Sequence, residues 1–322
     1  MKKNKCIIVS GIYLTVFLLC LVLGCTGALS NNAMRYLLRI FLYITLGEMW
    51  NLLSGFAGMT SLGQQLFIGL AGYSTAVVTT VYRLNYFFGI AVGAAISLAA
   101  ALLLAVLLLH MRGMYFAIAT WIAAEAAETF FFSWKYVGRG AGMNITISHY
   151  PQTGELYLLA LVLCGAALLV TYLLLKSRIG LGLTAMRDDI TAAASVGVDI
   201  GRSKLTVYLI AALFTSLAGA VFFINKGTIY PDSGFDIGWT ISMVFIVIIG
   251  GAGTFEGPIA GAVIYVLLYE YLAHFPGWSN IILGAISILV ILFMPKGIVG
   301  FVKDLLGKAV YRGRCCGNKD KQ

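Results

Sequence analysis

Phe87-Phe88-Gly89-Ile90-Ala91-Val92-Gly93-Ala94-Ala95-Ile96-Ser97-Leu98-Ala99-Ala100-Ala101-Leu102-Leu103-Leu104-Ala105-Val106-Leu107-Leu108-Leu109-His110 contains no charged residue before its closing histidine. Wound as a helix at about 1.5 Å per residue, a run of this length outreaches the ~30 Å hydrocarbon core of a bilayer. Working outward, the pattern recurs. The 322-residue chain is 60% hydrophobic and 11% charged, with a mean hydropathy of +0.93. Soluble domains carry about 25% charged and 45–50% apolar residues, so a soluble class is excluded. The 37 glycines stand against 5 prolines without a repeat period, which excludes a collagen-like chain. Apolar runs at 6–29, 36–54, 63–82, 87–110, 114–134, 156–176, 205–225, 237–252, 257–274 and 279–295 predict an all-α polytopic membrane protein of about ten transmembrane helices.

The net charge of +9 reads as an orientation signal. With the N-terminus in the cytoplasm, the inner side holds Lys2, Lys3, Lys5, Arg112, Lys176, Arg178, Arg187, Arg202, Lys204 and every Lys and Arg from Lys296 onward. The outer side holds Arg35, Arg39, Arg83, Lys135, Arg139 and Lys226. This asymmetry places both termini in the cytoplasm, and no nucleic-acid partner is needed to explain the charge. Trp134, Trp239 and Trp278 stand near span ends, where amphipathic rings belong. Lys2-Lys3-Asn4-Lys5 and the run ending Leu21-Val22-Leu23-Gly24-Cys25 imitate a secretory or lipoprotein signal; the reading adopted is a plain first transmembrane helix. Six cysteines form no framework, and Cys315-Cys316 read as reduced thiols in a basic tail. The chain divides into an N-terminal helix and outer loop (1–35), a membrane domain (36–306) and a basic cytoplasmic tail (307–322).

Two glycine-dense segments break the apolar rule. One runs from Asn51 through Ser54-Gly55-Phe56-Ala57-Gly58-Met59-Thr60-Ser61-Leu62-Gly63-Gln64-Gln65 to Gly69 and Gly72. The other is Gly250-Gly251-Ala252-Gly253-Thr254-Phe255-Glu256-Gly257-Pro258-Ile259-Ala260-Gly261. Irregular polar chain survives at membrane depth only where it is buried in protein or lines a wet cavity. Paired breaks in two halves are the pattern of repeat-built transporters. On that reading Gly55, Gly58, Gly63, Gly251, Gly253 and Gly257 are points where helices give way, and Asn51, Gln64 and Gln65 border the path. The alternative is ordinary turns with close helix packing, for which Gly257-x-x-x-Gly261 is a suitable face.

Acids within the spans are costly, about 2.5–3.5 kcal/mol at the centre, and usually face a cavity or partner. Glu48, Glu125 and Glu128 are the candidates for a polar path wall, the last two sharing a helix face by their spacing. A hydrogen-bonded helix contact or a protonated carboxyl is the competing reading. Glu270 reads as interfacial, as do His110, His149 and His274. Between about 177 and 204 lies the longest polar inner segment. Its stretch 183–196 predicts one short amphipathic helix with Asp188 and Asp189 in the first turns, suited to docking into another protein. No G-x-x-x-x-G-K-[ST], H-E-x-x-H, G-x-S-x-G or zinc spacing occurs, so nothing points to an ATP-hydrolysing or catalytic site on the chain, nor to a metal.

Five segments in order resemble one family: Ser54 to Gly69, Arg112-Gly113-Met114-Tyr115-Phe116-Ala117-Ile118-Ala119-Thr120, Ser177 to Gly197, Ile249 to Gly261, and Met294-Pro295-Lys296-Gly297. They look like the M-type permease subunit of branched-chain amino acid ABC importers, over roughly residues 35–306. The resemblance implies a bacterial plasma-membrane importer of leucine, isoleucine or valine. Its expected partners are a second, H-type permease, two ATP-binding cassette subunits that carry the ATP and Mg, and an external solute-binding protein. It implies that the inner loop is the coupling helix, with Arg187, Asp188, Asp189, Ala192, Ala193 and Gly197 at the ATPase contact. The family pattern Glu-Ala-Ala-x-x-x-Gly appears here without its Glu, as Thr191-Ala192-Ala193-Ala194-Ser195-Val196-Gly197, and the downstream Ile-x-Leu-Pro element lacks its Pro. Urea and short-amide importers use closely similar permeases, so the substrate stays open among these. An ion-coupled carrier and a membrane enzyme are the readings from other classes.

Overall fold

In the computed structural model, residues 15, 19–22, 24, 30–111, 113–147, 150–272, 279–294 and 297–301 are described. Most of the first predicted span, together with Arg112, His149, His274, Trp278, Pro295-Lys296 and the tail carrying Cys315-Cys316, lies outside them.

The described chain is α-helical. Its long helices are α1 (Asn31–Asn51), α2 (Gln65–Thr80), α3 (Tyr86–Leu108), α4 (Met114–Ser133), α5 (Thr153–Lys176), the short α6 (Arg178–Asp188) and α7 (Ile190–Ser195), then α8 (Ile200–Lys226). The one-turn α9 (Pro231–Gly234), α10 (Gly238–Gly250), α11 (Gly257–Leu272) and α12 (Ser279–Phe293) complete the order. Local chemistry marks the ends. Ser30 caps α1 by accepting the Ala33 N–H at 3.3 Å, Asn85 caps α3 through the Phe87 N–H at 3.3 Å, and α8 stops at Gly227 with φ +77°.

Among the described residues, four segments are long and apolar enough to cross a membrane: Tyr86–Leu108, Thr153–Lys176, Ile200–Lys226 and Pro231–Gly250. They occupy different depths. The most apolar stretch of α8 is 72% buried in the protein and that of α3 only 28%, so α8 is a core helix and α3 faces outward. Leu103, Val106 and Leu107 on α3 are exposed apolar side chains, as a lipid-facing surface requires. Helix α1 packs against α5, α8, α10 and α11, and α2 packs against α3 and α8. A two-residue ladder, β1 (Met143–Asn144) against β2 (Thr228–Ile229), is antiparallel and ties the α4–α5 connection to the end of α8.

The two predicted breaks are real interruptions. Helix α1 runs into a π turn at Leu52–Phe56, and 16-residue α2 starts only at Gln65. That makes α2 about 24 Å long, shorter than the hydrocarbon core. The inner loop departs from expectation. One helix over 183–196 was predicted, but two form, divided at Asp189 with φ −155° and ψ 115°. The Asp189 carboxylate accepts the Thr191 N–H at 2.7 Å and the Ala192 N–H at 3.1 Å. A side chain that binds the backbone two and three residues on competes with continued helix and starts a new one. Asp188 accordingly closes α6 rather than opening a helix.

Candidate functional site

The end of α1, the α10–α11 connection and the end of α6 meet. Asn51, fully buried, accepts the Gly253 N–H on Oδ1 at 2.8 Å and donates Nδ2 to the Thr254 carbonyl at 3.0 Å. One amide thereby satisfies a donor and an acceptor of irregular backbone that have no helix to serve them. Gly251 and Gly253 adopt φ +121° and +72°, a region that costs little only to glycine. Closeness also demands glycine: a Cβ on Gly55 would lie 2.1 Å from Asn51 Oδ1 and 2.6 Å from Gly253 N. Gly257 and Gly261 pack the same way, against the Gly251 and Ile246 carbonyls, so close packing and backbone interruption coexist in the second segment.

Arg187, the penultimate residue of α6, reaches this contact. Its Nη1 donates to the Gly55 carbonyl at 2.7 Å, and a Cβ on Gly253 would stand 2.6 Å from the same Nη1. Its backbone also covers Gly58, where φ is +69°. The Arg187–Asp188 pair at 3.7 Å is exposed and contributes little. Gly63 links the first break to α4: a Cβ there would meet the Thr120 carbonyl at 2.0 Å, and Thr120 Oγ1 accepts the Leu62 N–H at 3.2 Å.

Further buried polar side chains stand on α1 and at the start of α2. Gln64 Oε1 accepts from Thr215 at 3.2 Å, and Gln65 Oε1 accepts from Thr240. Both Gln Nε2 atoms and both carboxyl oxygens of Glu48 are buried without a hydrogen bond among the described residues. Each such group costs about 1–3 kcal/mol unless something completes it. Glu48, Asn51, Gln64 and Gln65 are thus all buried in the protein interior.

Glu125 and Glu128 stand apart on α4. Glu125 is exposed and accepts the Trp121 Nε1–H at 2.9 Å; Glu128 is half-buried. Within this chain Glu125 faces outward rather than into an interior path. In the inner loop, Asp188, Asp189 and Ala192 are exposed and Ala193 is buried. Gly197 turns at φ +88° with open space around it. Hydrogen bonds from the Thr191 hydroxyl, then from the Ala192 and Thr191 backbone, hold the Asp189 carboxyl below the usual range. Glu270, read as interfacial, pairs with Arg39 of α1.

Two participants were not singled out from sequence, and a third, Lys204, was read only as an inner-side cation. Thr215 and Thr240 announce themselves only as hydroxyls inside apolar runs, a weak signal. Lys204 is buried and donates to the Leu109 carbonyl at 3.3 Å, closing the end of α3.

The family described as branched-chain amino acid transport system / permease component matches residues 32–292. The high-affinity branched-chain amino acid transport system permease protein LivM of Escherichia coli (strain K12) is 26% identical over 321 residues, covering 90% of this chain and 75% of that protein. LivM of Salmonella typhimurium is 26% identical, covering 86% and 72%. The high-affinity branched-chain amino acid transport system permease protein LivH of Escherichia coli (strain K12) is 29% identical over 139 residues, 42% of this chain and 44% of that protein. No solved structure gives a significant match. With a match across most of its length and LivM-like relatives over nearly all of it, the chain is a member of the branched-chain amino acid transport system permease family.

Proposed function

We propose that this chain is one of two membrane subunits of an ATP-binding-cassette importer for leucine, isoleucine and valine. The observation that carries the reading is the junction in which Arg187 of the inner loop and Asn51 of α1 grip the two glycine breaks. A force applied to the loop from below reaches the interrupted helices through two hydrogen-bonded contacts, which alternating access requires. The loop also exposes Leu181 and Val196, at 72% and 85%, apolar side chains that a docking ATPase would cover. Arg187, Asp188, Asp189, Ala192, Ala193 and Gly197 are assigned to that contact, and ATP and Mg belong to the partner subunits.

The buried polar side chains of Glu48, Asn51, Gln64 and Gln65 are assigned to the solute path, with Gly55, Gly58, Gly63, Gly251, Gly253 and Gly257 as its yielding points. Glu125 and Glu128 serve the same path from α4. Because Glu125 faces outward here, its share requires a neighbouring protein surface, and the second, H-type permease is the partner assigned to that face. The existence of LivH relatives supports this pairing. About ten spans are proposed, with both termini cytoplasmic, the permease unit at 36–306 and the whole in a bacterial plasma membrane. The grouping of Arg187, Arg202 and Lys204 near one end of the bundle and Arg35, Arg39 and Lys226 near the other supports the orientation. The test is leucine uptake into vesicles holding this chain with its second permease, the ATPases and the binding protein. Uptake with ATP, and none without it, is expected.

A further inference from the structure

A cavity of about 520 Å³ opens at the end of the bundle opposite the glycine junction. Its walls come from the first half of α1, the entry to α5 and the last turns of α8 and α11. The size lies within the roughly 300–1,000 Å³ of ligand sites. A smaller cavity of about 200 Å³ shares Arg35, Arg39 and Glu270 with it. The lining is polarised. Three cations face it, Arg35 and Arg39 from α1 and Lys226 from α8, against the single carboxylate of Glu270.

Glu270 is taken up by Arg39, and the nearby acid Glu155 at the start of α5 accepts from Tyr86. Arg35 and Lys226 have no ion pair among the described residues. The Lys226 ammonium stands 5.8 Å from the Phe223 ring centre. Arg35 and Lys226, both solvent-exposed, line the one recess from two different helices. The apolar walls, among them Tyr43, Leu156, Phe222 and Val266, complete a pocket for an apolar body. Tyr150 donates to the Ile224 carbonyl and so holds the connection before α5 against the end of α8.

We propose that this cavity binds an anionic group, a carboxylate or a phosphate, carried on an apolar body, with Arg35 and Lys226 as its counter-ions. Guanidinium geometry suits either anion, and partly desolvated walls strengthen the attraction. A small carboxylic solute and the headgroup of an acidic lipid share this chemistry. Identifying the occupant with the transported solute rests on the transport reading; the anion site does not.

The experiment uses the full chain in nanodiscs, without nucleotide or partners, so it is independent of any uptake result. Radiolabelled 4-methylpentanoate is dialysed against the chain in phosphatidylcholine nanodiscs. Binding is expected, weakened about tenfold by R35Q/K226Q, as loss of charge-assisted hydrogen bonds implies, and tightened by E270Q, which frees Arg39. Opposite signs from two variants cannot both arise from misfolding. In a second arm, phosphatidylglycerol retained by the purified chain is counted by mass spectrometry. If the carboxylate does not bind but phosphatidylglycerol is held by the natural chain and lost from R35Q/K226Q, the anion is a lipid phosphate and the site stands. If neither probe is held, or the substitutions leave both unchanged, the proposal is overturned.

Discussion

Arg187 Nη1 and the Gly55 carbonyl lie 2.7 Å apart, joining the last turn of an inner-loop helix to the π turn that interrupts α1. The residues are 132 positions apart in the chain. Near this bond Asn51 holds the second glycine segment, so the loop and both breaks form one mechanical unit.

Replacing Arg187 with Ala should uncouple the importer rather than unfold the chain. The side chain is partly exposed, so the fold loses only about 1 kcal/mol. In the reconstituted complex, ATP hydrolysis should persist while leucine uptake falls several-fold. Equal falls in both activities, or in neither, would count against Arg187 coupling the loop to the breaks.

Asn51→Ala should be more severe for stability. It leaves the part-buried Gly253 N–H and Thr254 carbonyl without their partner, a loss of about 1–2 kcal/mol. A fall in the thermal midpoint of the purified chain measures it.

Glycine positions should separate sharply. Gly55→Ala and Gly253→Ala place a Cβ within 2.1 and 2.6 Å of existing atoms, and at Gly253 a positive φ adds strain. Losses of about 1–3 kcal/mol are expected. Gly154→Ala, in the first turn of α5 with nothing within 4 Å, should be neutral or slightly stabilising. Thermal unfolding of the three variants side by side checks this.

The α6–α7 boundary should be acid-sensitive. Asp189 has its carboxyl pKa lowered from 3.8 by the hydrogen bonds it accepts. Its capping is therefore fully present above that value and is lost as pH falls through the lower folded one. Hydrogen exchange at the Thr191 and Ala192 amides should accelerate below about pH 4, beyond the intrinsic trend. Asp189→Asn should keep a cap and lose the pH dependence; Asp189→Ala should exchange quickly throughout.

Much of the helical layout was legible because lipid and protein core both demand continuous apolar runs, and most helix ends fall within a few residues of the predicted ones. The glycine segments were visible for the converse reason, as polar backbone where apolar chain was expected. Their mutual contact was not visible, since nothing local in Asn51 names Gly253 as its partner, 202 positions away. The split inner helix was misjudged because propensity over 183–196 favours helix, while one Asp side chain binding forward decided the outcome. Spacing correctly put Glu125 and Glu128 near one another on α4, but which way a helix face points depends on neighbours remote in sequence. The Arg39–Glu270 pair has the same origin: Arg39 reads only as an outer-side cation and Glu270 as interfacial, and only packing α1 against α11 brings the charges together.

The most direct test of the central claim is leucine accumulation in vesicles, with this chain alone and with the second permease, the ATPases and the binding protein. Accumulation only in the full assembly, and only with ATP, is the predicted result. Accumulation by the chain alone, driven by an ion gradient without nucleotide, would contradict it.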